Sequence, residues 1–168
     1  MKALVVVDYQ NDHVVGPMSN RYTQLIENNI CARVEETLKG KGKLFFVVDS
    51  FPQSYFLSAE GKGKQRYCIR GTPGAEIYGR LNDYLTKAQL IRKTAYGSEE
   101  LAANLRQFDE IELCGVETEN DILVNAVLAM TVNPKARIVI RQNCIATRNS
   151  ALAEEALDIM AGLGIDIA

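Results

Sequence analysis

At 168 residues, with 47% apolar and 24% charged side chains, the chain is long enough for one substantial core. Its formal net charge of −2 and the lack of like-charge runs argue against a nucleic-acid surface, and no apolar run is long enough to span a membrane. Cys31, Cys68, Cys114 and Cys144 follow no metal or CxxC spacing and read as reduced, buried thiols; with no signal-peptide pattern after Lys2, a cytoplasmic protein is expected.

Taken in order, KALVVVD opens with a nearly unbroken apolar run, which fits a strand covered on both faces in a parallel sheet. Asp8 then falls at that strand's C-terminal edge. DHVVGPMSN follows as a loop, with a turn at Gly16-Pro17. Residues 22–38 place Leu25, Ile26, Ile30, Val34 and Leu38 on one helical face, KGKGK closes the helix, and LFFVV forms a second strand ending at Asp49. Residues 50–70 have no clean period and read as a long excursion over the strand ends, of the kind that often walls a site. Phe51, Tyr55, Phe56 and Tyr67 fit either a wall for a planar substrate or a cover for the sheet's edge; Lys62 and Lys64, between glycines, read as a solvated turn.

GTPGAEIYGRLNDYL, from Gly71, reads as a turn and a short helix, and QLIRK as a short strand ending at Lys93. TAYGSEELAANLRQF leads into a helix capped by Ser98, with Glu99 and Glu100 in its first turn. Residues 111–114 form a buried strand, Gly115-Val116 a tight break, and a long helix begins near Thr118, apolar at Ile122, Val124, Ala126, Val127 and Met130. Thr118 suits the N-cap, and Asp121 the acidic half of a capping box. A strand over 137–141 and a helix over 150–160 follow. The alternation predicts one domain over residues 1–168, a three-layer α/β/α sandwich with a mainly parallel central sheet.

Three strand ends carry polar groups that a core does not need: Asp8, Lys93 and the turn over 115–121. A carboxylate beside an ammonium suits proton transfer; the plain alternative is a structural ion pair and a capping aspartate. That both side chains end buried strands, where an unpaired charge is expensive, favours a site.

Through DYQNDHVVG at Asp8, CIRGTPGAEI at Cys68, Lys93 and CGVETEND at Cys114, the chain resembles the isochorismatase-like hydrolase superfamily of nicotinamidases, related cysteine amidohydrolases and isochorismatase. The resemblance implies a parallel sheet with helices on both faces. It also implies a small-molecule substrate, hydrolysis of an amide or a vinyl ether, and a homodimer or larger homo-oligomer. It makes Asp8 the catalytic aspartate and Lys93 the catalytic lysine. Val116, Glu117 and Thr118 become the oxyanion turn, with a cis Val116-Glu117 peptide. Gln10 and Asn11 match residues behind the aspartate, and Gly71 and Thr72 a substrate-side loop.

Two positions depart from that pattern. Asp121 stands where the amidohydrolases hold their nucleophilic cysteine; Cys114 lies on the strand side of the turn and does not replace it, and Cys144 resembles a structural cysteine. The metal ligands of nicotinamidases, an aspartate-x-histidine pair and a further histidine, correspond here to Asp49-Ser50-Phe51 and Tyr67, so neither metal nor other cofactor is expected. His13, the sole histidine, fits loop packing or the pocket lining, and Arg70 a carboxylate grip or the surface.

Three readings follow. The preferred one is a cysteine-free hydrolase of a C–N or ether-type bond, in which Asp8 shuttles the proton, Lys93 stabilises negative charge and Asp121 orients water. The others are a cysteine amidohydrolase whose nucleophile is changed to Asp121, and a catalytically silent binding or assembly protein. Two carboxylates at one pocket disfavour an anionic substrate, which counts against isochorismate.

Overall fold

The computed structural model describes residues 1–59 and 61–168; Glu60, within the 50–70 excursion, lies outside the described residues. Among the described residues six strands are formed: Lys2–Val7 (β1), Lys43–Asp49 (β2), Ala88–Lys93 (β3), Glu110–Gly115 (β4), Arg137–Ile145 (β5) and Asp166–Ile167 (β6). Among the described residues they make one sheet in the order β3-β2-β1-β4-β5-β6, with every neighbouring pair parallel. The α-helices are Asn11–Val14 (α1), Glu27–Lys39 (α2), Glu99–Leu105 (α3), Leu123–Val132 (α4) and Ser150–Gly162 (α5).

The layers follow from the two-residue period of a strand. Ala3, Val5 and Val7 of β1 face one way and pack with Leu101, Leu105, Ala126 and Met160 of α3, α4 and α5. Leu4 and Val6 face the other way, onto Ile30 and Val34 of α2 and onto Leu81. Both faces are therefore apolar and covered, which is why the central strands read as continuous apolar runs. The three-layer α/β/α sandwich is the architecture observed. Among the described residues no helix is long and apolar enough to cross a membrane.

Local differences from the sequence reading are physical. The loop after Asp8 contains the short α1, whose residues are tied down by partners distant in sequence. The segment Gly79–Lys87 is 3₁₀-helical, with one buried residue, Leu81. The predicted Ser98 cap forms, its Oγ accepting from Leu101 N, and the helix predicted over 150–160 is capped by Asn149, which accepts from Leu152 N. The Thr118 cap does not form. Residues Thr118–Ile122 make a wide π-turn ahead of α4, no side chain caps it, and Thr118 Oγ1 donates instead to Ala146 O at 3.2 Å. Asp121 is drawn away from the helix end by a stronger partner, described below.

One ion cluster is structural. Glu112 of β4 is fully buried and takes Arg33 bidentately at 2.6 and 2.7 Å, with Lys2 at 2.8 Å and Arg141 at 3.1 Å. Burial alone would raise its pKa, but hydrogen bonding from Arg33 and the ion pairs with Lys2 and Arg141 outweigh it and hold the carboxyl at about 2 against an ordinary 4.5. A depressed folded pKa contributes stability above the ordinary value, lost as pH falls through the folded one. Glu112→Gln is therefore expected to lower unfolding free energy by about 2 kcal/mol near pH 7, after discounting for partners at the solvent edge. In urea titrations the deficit should shrink between about pH 4.5 and pH 2.

Candidate active site

The chain runs outward from β1 to β2 and β3, then returns past β1 to β4, so the strand order reverses between β1 and β4. Open parallel sheets leave a crevice at the carboxyl ends of the strands at such a reversal. Four neighbouring strands deliver polar groups there: Asp8 directly after β1, Asp49 ending β2, Lys93 ending β3, and the turn after β4. Asp49 and Lys93 are register partners, as are Val7 and Gly115. Gly115 has φ +111°, and a Cβ on it would lie 2.0 Å from Val7 O, so the close approach of β4 to β1 requires glycine. The Val116-Glu117 peptide is cis, as the resemblance implied. Asp8 has φ 49°, a left-handed conformation that aspartate tolerates better than most side chains.

At the centre, Lys93 Nζ lies 2.7 Å from Asp8 Oδ2, 2.7 Å from Asp49 Oδ1 and 2.6 Å from Asp121 Oδ1. Every member is buried. Burial works against the ammonium, but the three carboxylates outweigh it and hold Lys93 well above its ordinary range. Asp8 is pushed well up, by burial and then by the Asp49 charge, against the pull of Lys93. Asp121 is raised too, chiefly by burial. Asp49 is lowered, since hydrogen bonding from His13 and the Lys93 charge overcome its burial. Although Lys93 Nζ is close to Asp8, it is poorly aligned, and neither Asp8 oxygen has a donor in hydrogen-bonding geometry. The two raised carboxyls, Asp8 and Asp121, form a pair suited to share one proton.

Sequence reasoning joined Asp8, Lys93 and Asp121 but missed Asp49 as their fourth member; the signal was an aspartate ending an apolar strand, as Asp8 does. It also left His13 open. The imidazole is buried, its Nε2 3.3 Å from Asp49 Oδ2 and its Nδ1 4.0 Å from Glu117 Oε1. Glu117 is held in turn by Arg148, whose backbone N–H and Nε donate at 2.9 and 3.1 Å.

The groups assigned by resemblance divide. Gln10 positions rather than faces a ligand: its amide nitrogen donates to Asp49 O and Ala75 O, both at 2.8 Å, and its oxygen accepts from Asp49 N at 2.9 Å. Asp12 accepts from Cys68 N at 2.7 Å and Asn11 donates to Pro73 O at 2.7 Å, so this short segment fixes the following loop. Gly71, Thr72 and Arg70 line a cleft of about 930 Å³ that touches Asp49 but not Asp121. A second cleft, of about 520 Å³, is lined by His13, Asp49, Glu117 and Asp121 with Phe51, Tyr55 and Tyr67. Two of the cluster's carboxylates, Asp49 and Asp121, line this smaller cleft together with His13 and Glu117, and Lys93 does not. Asp8 is fully covered and lies behind Asp121, outside the lining.

No thiol is activated. All four cysteines are unpaired and buried, with Cys31, Cys68 and Cys114 pushed up by burial and Cys144 raised to about 11 for the same reason. Metal ligation is also poorly served. Phe51 and Tyr67 offer no imidazole, and the trio whose donor atoms approach within 4.8 Å is Asp8, His13 and Asp49. His13 supplies an imidazole that the sequence reading had not placed beside Asp49. Yet both carboxylates already hold Lys93 Nζ, and a divalent ion bound to them would press against the ammonium.

The isochorismatase domain matches residues 2–168. PncA of Bacillus subtilis (strain 168), described as an uncharacterized isochorismatase family protein, is 29% identical over 162 residues, 88% of this chain and 87% of its own. The pyrazinamidase of Pyrococcus horikoshii in complex with zinc superposes with a TM-score of 0.88 at 25% identity, over 99% of this chain and 98% of that one. The nicotinamidase/pyrazinamidase PncA from Bacillus subtilis gives 0.86 at 28% identity, with the same coverage.

Proposed function

Because the chain belongs to the isochorismatase family, with a buried Asp/His/Asp arrangement and no cysteine at the usual nucleophile position, we propose that it is a hydrolase of a C–N or ether-type bond in a small molecule. The observation that carries this reading is Lys93 Nζ held within 2.7 Å of Asp8, Asp49 and Asp121, at the crevice where such sheets keep their sites. An ion pair needed only for stability requires one carboxylate; three around one ammonium leave acid groups to spare.

For an amide, Asp121 faces the cleft as a carboxylate while Asp8 holds the proton of the pair. Asp121 removes a proton from water, the water oxygen bonds to the carbonyl carbon, and the carbonyl oxygen gathers negative charge. Lys93 and the backbone N–H groups after Val116 stabilise that charge. Asp121 then delivers the proton to the leaving nitrogen as the C–N bond breaks. Asp8 serves this cycle by keeping the pair at a single negative charge and by exchanging its proton with Asp121. Attack by water avoids the mixed anhydride that attack by Asp121 would require. The same proposal takes the protein as a cytoplasmic homodimer or larger homo-oligomer, in keeping with its unpaired cysteines and with the resemblance.

The test is turnover against a panel of small amides, ureas and enol ethers, followed by mass spectrometry, with the native chain and Asp121→Cys compared. Turnover by the native chain that places solvent ¹⁸O in the acid or carbonyl product is expected. Turnover by Asp121→Cys alone would mark a lost amidase nucleophile instead, and silence from both folded proteins would support a binding role.

A further inference from the structure

The cleft over Asp49 and Asp121 joins an acidic floor to aromatic walls, a combination that hydrolysis as such does not require. Asp49, Glu117 and Asp121 line the cleft, and Lys93, outside the lining, is the ammonium that Asp49 and Asp121 contact at 2.7 and 2.6 Å. His13, 1% exposed and lining the same cleft, has no hydrogen-bond partner at Nδ1. Two cations also line the cleft: Arg148 is engaged by Glu117 at 3.1 Å, and Lys64, 3.1 Å from the Tyr55 hydroxyl, stands 5.6 Å over the Tyr55 ring, which already draws a cation. Along one wall, Phe51 and Tyr55 stack with ring centroids 4.6 Å apart, and Tyr67 meets Phe51 at 5.2 Å and His13 at 5.3 Å.

These features select the same charge independently. Aromatic faces attract cations. Desolvated carboxylates in excess over their counter-cation attract a positive ligand and repel an anion. A fork of N–H donors also suits paired carboxylates better than a point charge does. The volume, about 520 Å³, takes a flat ring with one polar head. A divalent metal ion would answer the acid excess, but it would lie against Lys93 and make no use of the rings.

We infer that this cleft selects a small planar organic cation, an amidinium or guanidinium, with its N–H donors on Asp49 and Asp121 and its flat body against Phe51, Tyr55 and Tyr67. The inference deepens the hydrolase reading by naming its substrate class, and it rests on that reading in taking this cleft as the substrate's.

The test uses three molecules of nearly equal shape: benzamidinium, benzamide and benzoate. Their affinities for the full chain are measured by titration calorimetry in metal-free buffer, with zinc chloride alone in a separate arm. Benzamidinium is expected to bind at least about tenfold more tightly than either of the others. Asp121→Asn should reduce that preference to about threefold or less. Tyr55→Leu, at the partly exposed rim, should weaken benzamidinium about fivefold and so tests the wall if Asp121→Asn does not fold. Equal or tighter binding of benzamide or benzoate, no binding of benzamidinium, or a response to zinc alone overturns the inference. Ammonia release from each nitrogen compound is followed separately. Tight benzamidinium binding without hydrolysis of any compound would sink the hydrolase reading and leave the inference standing; hydrolysis of benzamide without benzamidinium binding would do the reverse.

Discussion

Asp8→Asn is expected to abolish turnover and stabilise the fold at the same time. The asparagine keeps the shape of the side chain and can donate an N–H to Asp121, but it cannot hold or exchange the proton of the pair. A lost acid–base function costs on the order of 10²–10⁴-fold in rate. Stability should move the other way, by roughly 1–2 kcal/mol in favour of the variant near neutral pH, the usual scale when a strained functional group is removed. The sign follows from Asp8's raised pKa, caused first by burial and then by the Asp49 charge. The folded state binds the Asp8 proton more tightly than the unfolded chain does, so native stability falls as pH rises from about 3.8 through the folded value. Asparagine does not titrate, so the gain should grow across that window and vanish below it. Thermal unfolding of both proteins at several pH values, beside turnover on the same substrate, measures both effects. A variant that is less stable at every pH would show that Asp8 is a structural anchor of Lys93, because Asp49 and Asp121 would then have failed to compensate the ammonium without it.

Lys93→Met should have the largest effect on stability. The side chain is buried, and removing its charge leaves Asp8, Asp49 and Asp121 together in a dry site. Deleting one partner of a buried ion cluster costs about 3–5 kcal/mol, because the remaining charges stay uncompensated. The loss should be greatest near neutral pH and diminish as pH falls toward about 4, because the orphaned carboxyls take up protons in the folded state before those of the unfolded chain do. In the native protein, the folded pKa of Lys93 lies above its ordinary 10.5 because three carboxylates outweigh its burial. Its contribution is therefore complete below about pH 10.5 and is lost as pH climbs through the folded value. Denaturant titrations at about pH 7 and pH 4.5 would separate these cases. An equal deficit at both would mean that the folded variant binds no more protons than the native protein does, leaving only the packing of the methionine to explain the loss.

The roles of Asp8 and Asp121 bear on how the aspartate at the nucleophile position should be understood. In a helix-capping role its carboxylate would turn to the backbone at Thr118, and replacing it would cost only a cap. Instead the backbone opens into the turn Thr118–Ile122, and the carboxylate reaches Lys93 at 2.6 Å. A charge-assisted contact in a buried setting outweighs a neutral N–H cap, which is why the capping-box reading fails at this helix while Ser98 and Asn149 do cap theirs.

Much of this protein was determined by sequence alone. The apolar runs ending in Asp8 and Asp49 dictate covered parallel strands, because only a sheet buried on both faces tolerates no polar alternation. Polar residues at the ends of strands lie at the carboxyl edge, so the meeting of Asp8 and Lys93 there was legible. The Ser98 cap was legible because its hydroxyl has no stronger partner to turn to. Tertiary structure alone decided which strand ends became neighbours, since pairing order depends on crossovers that local periodicity does not encode. It made Asp49 the fourth member of the charged centre, turned His13 inward from its loop onto Asp49, and set Gln10 to clamping β2 instead of facing a ligand. It also separated the cleft of Gly71 and Thr72 from that of Asp121. Each of these outcomes depends on distances between residues far apart in the chain, where Coulomb energy and burial act on positions in space and spacing in sequence carries no information about them.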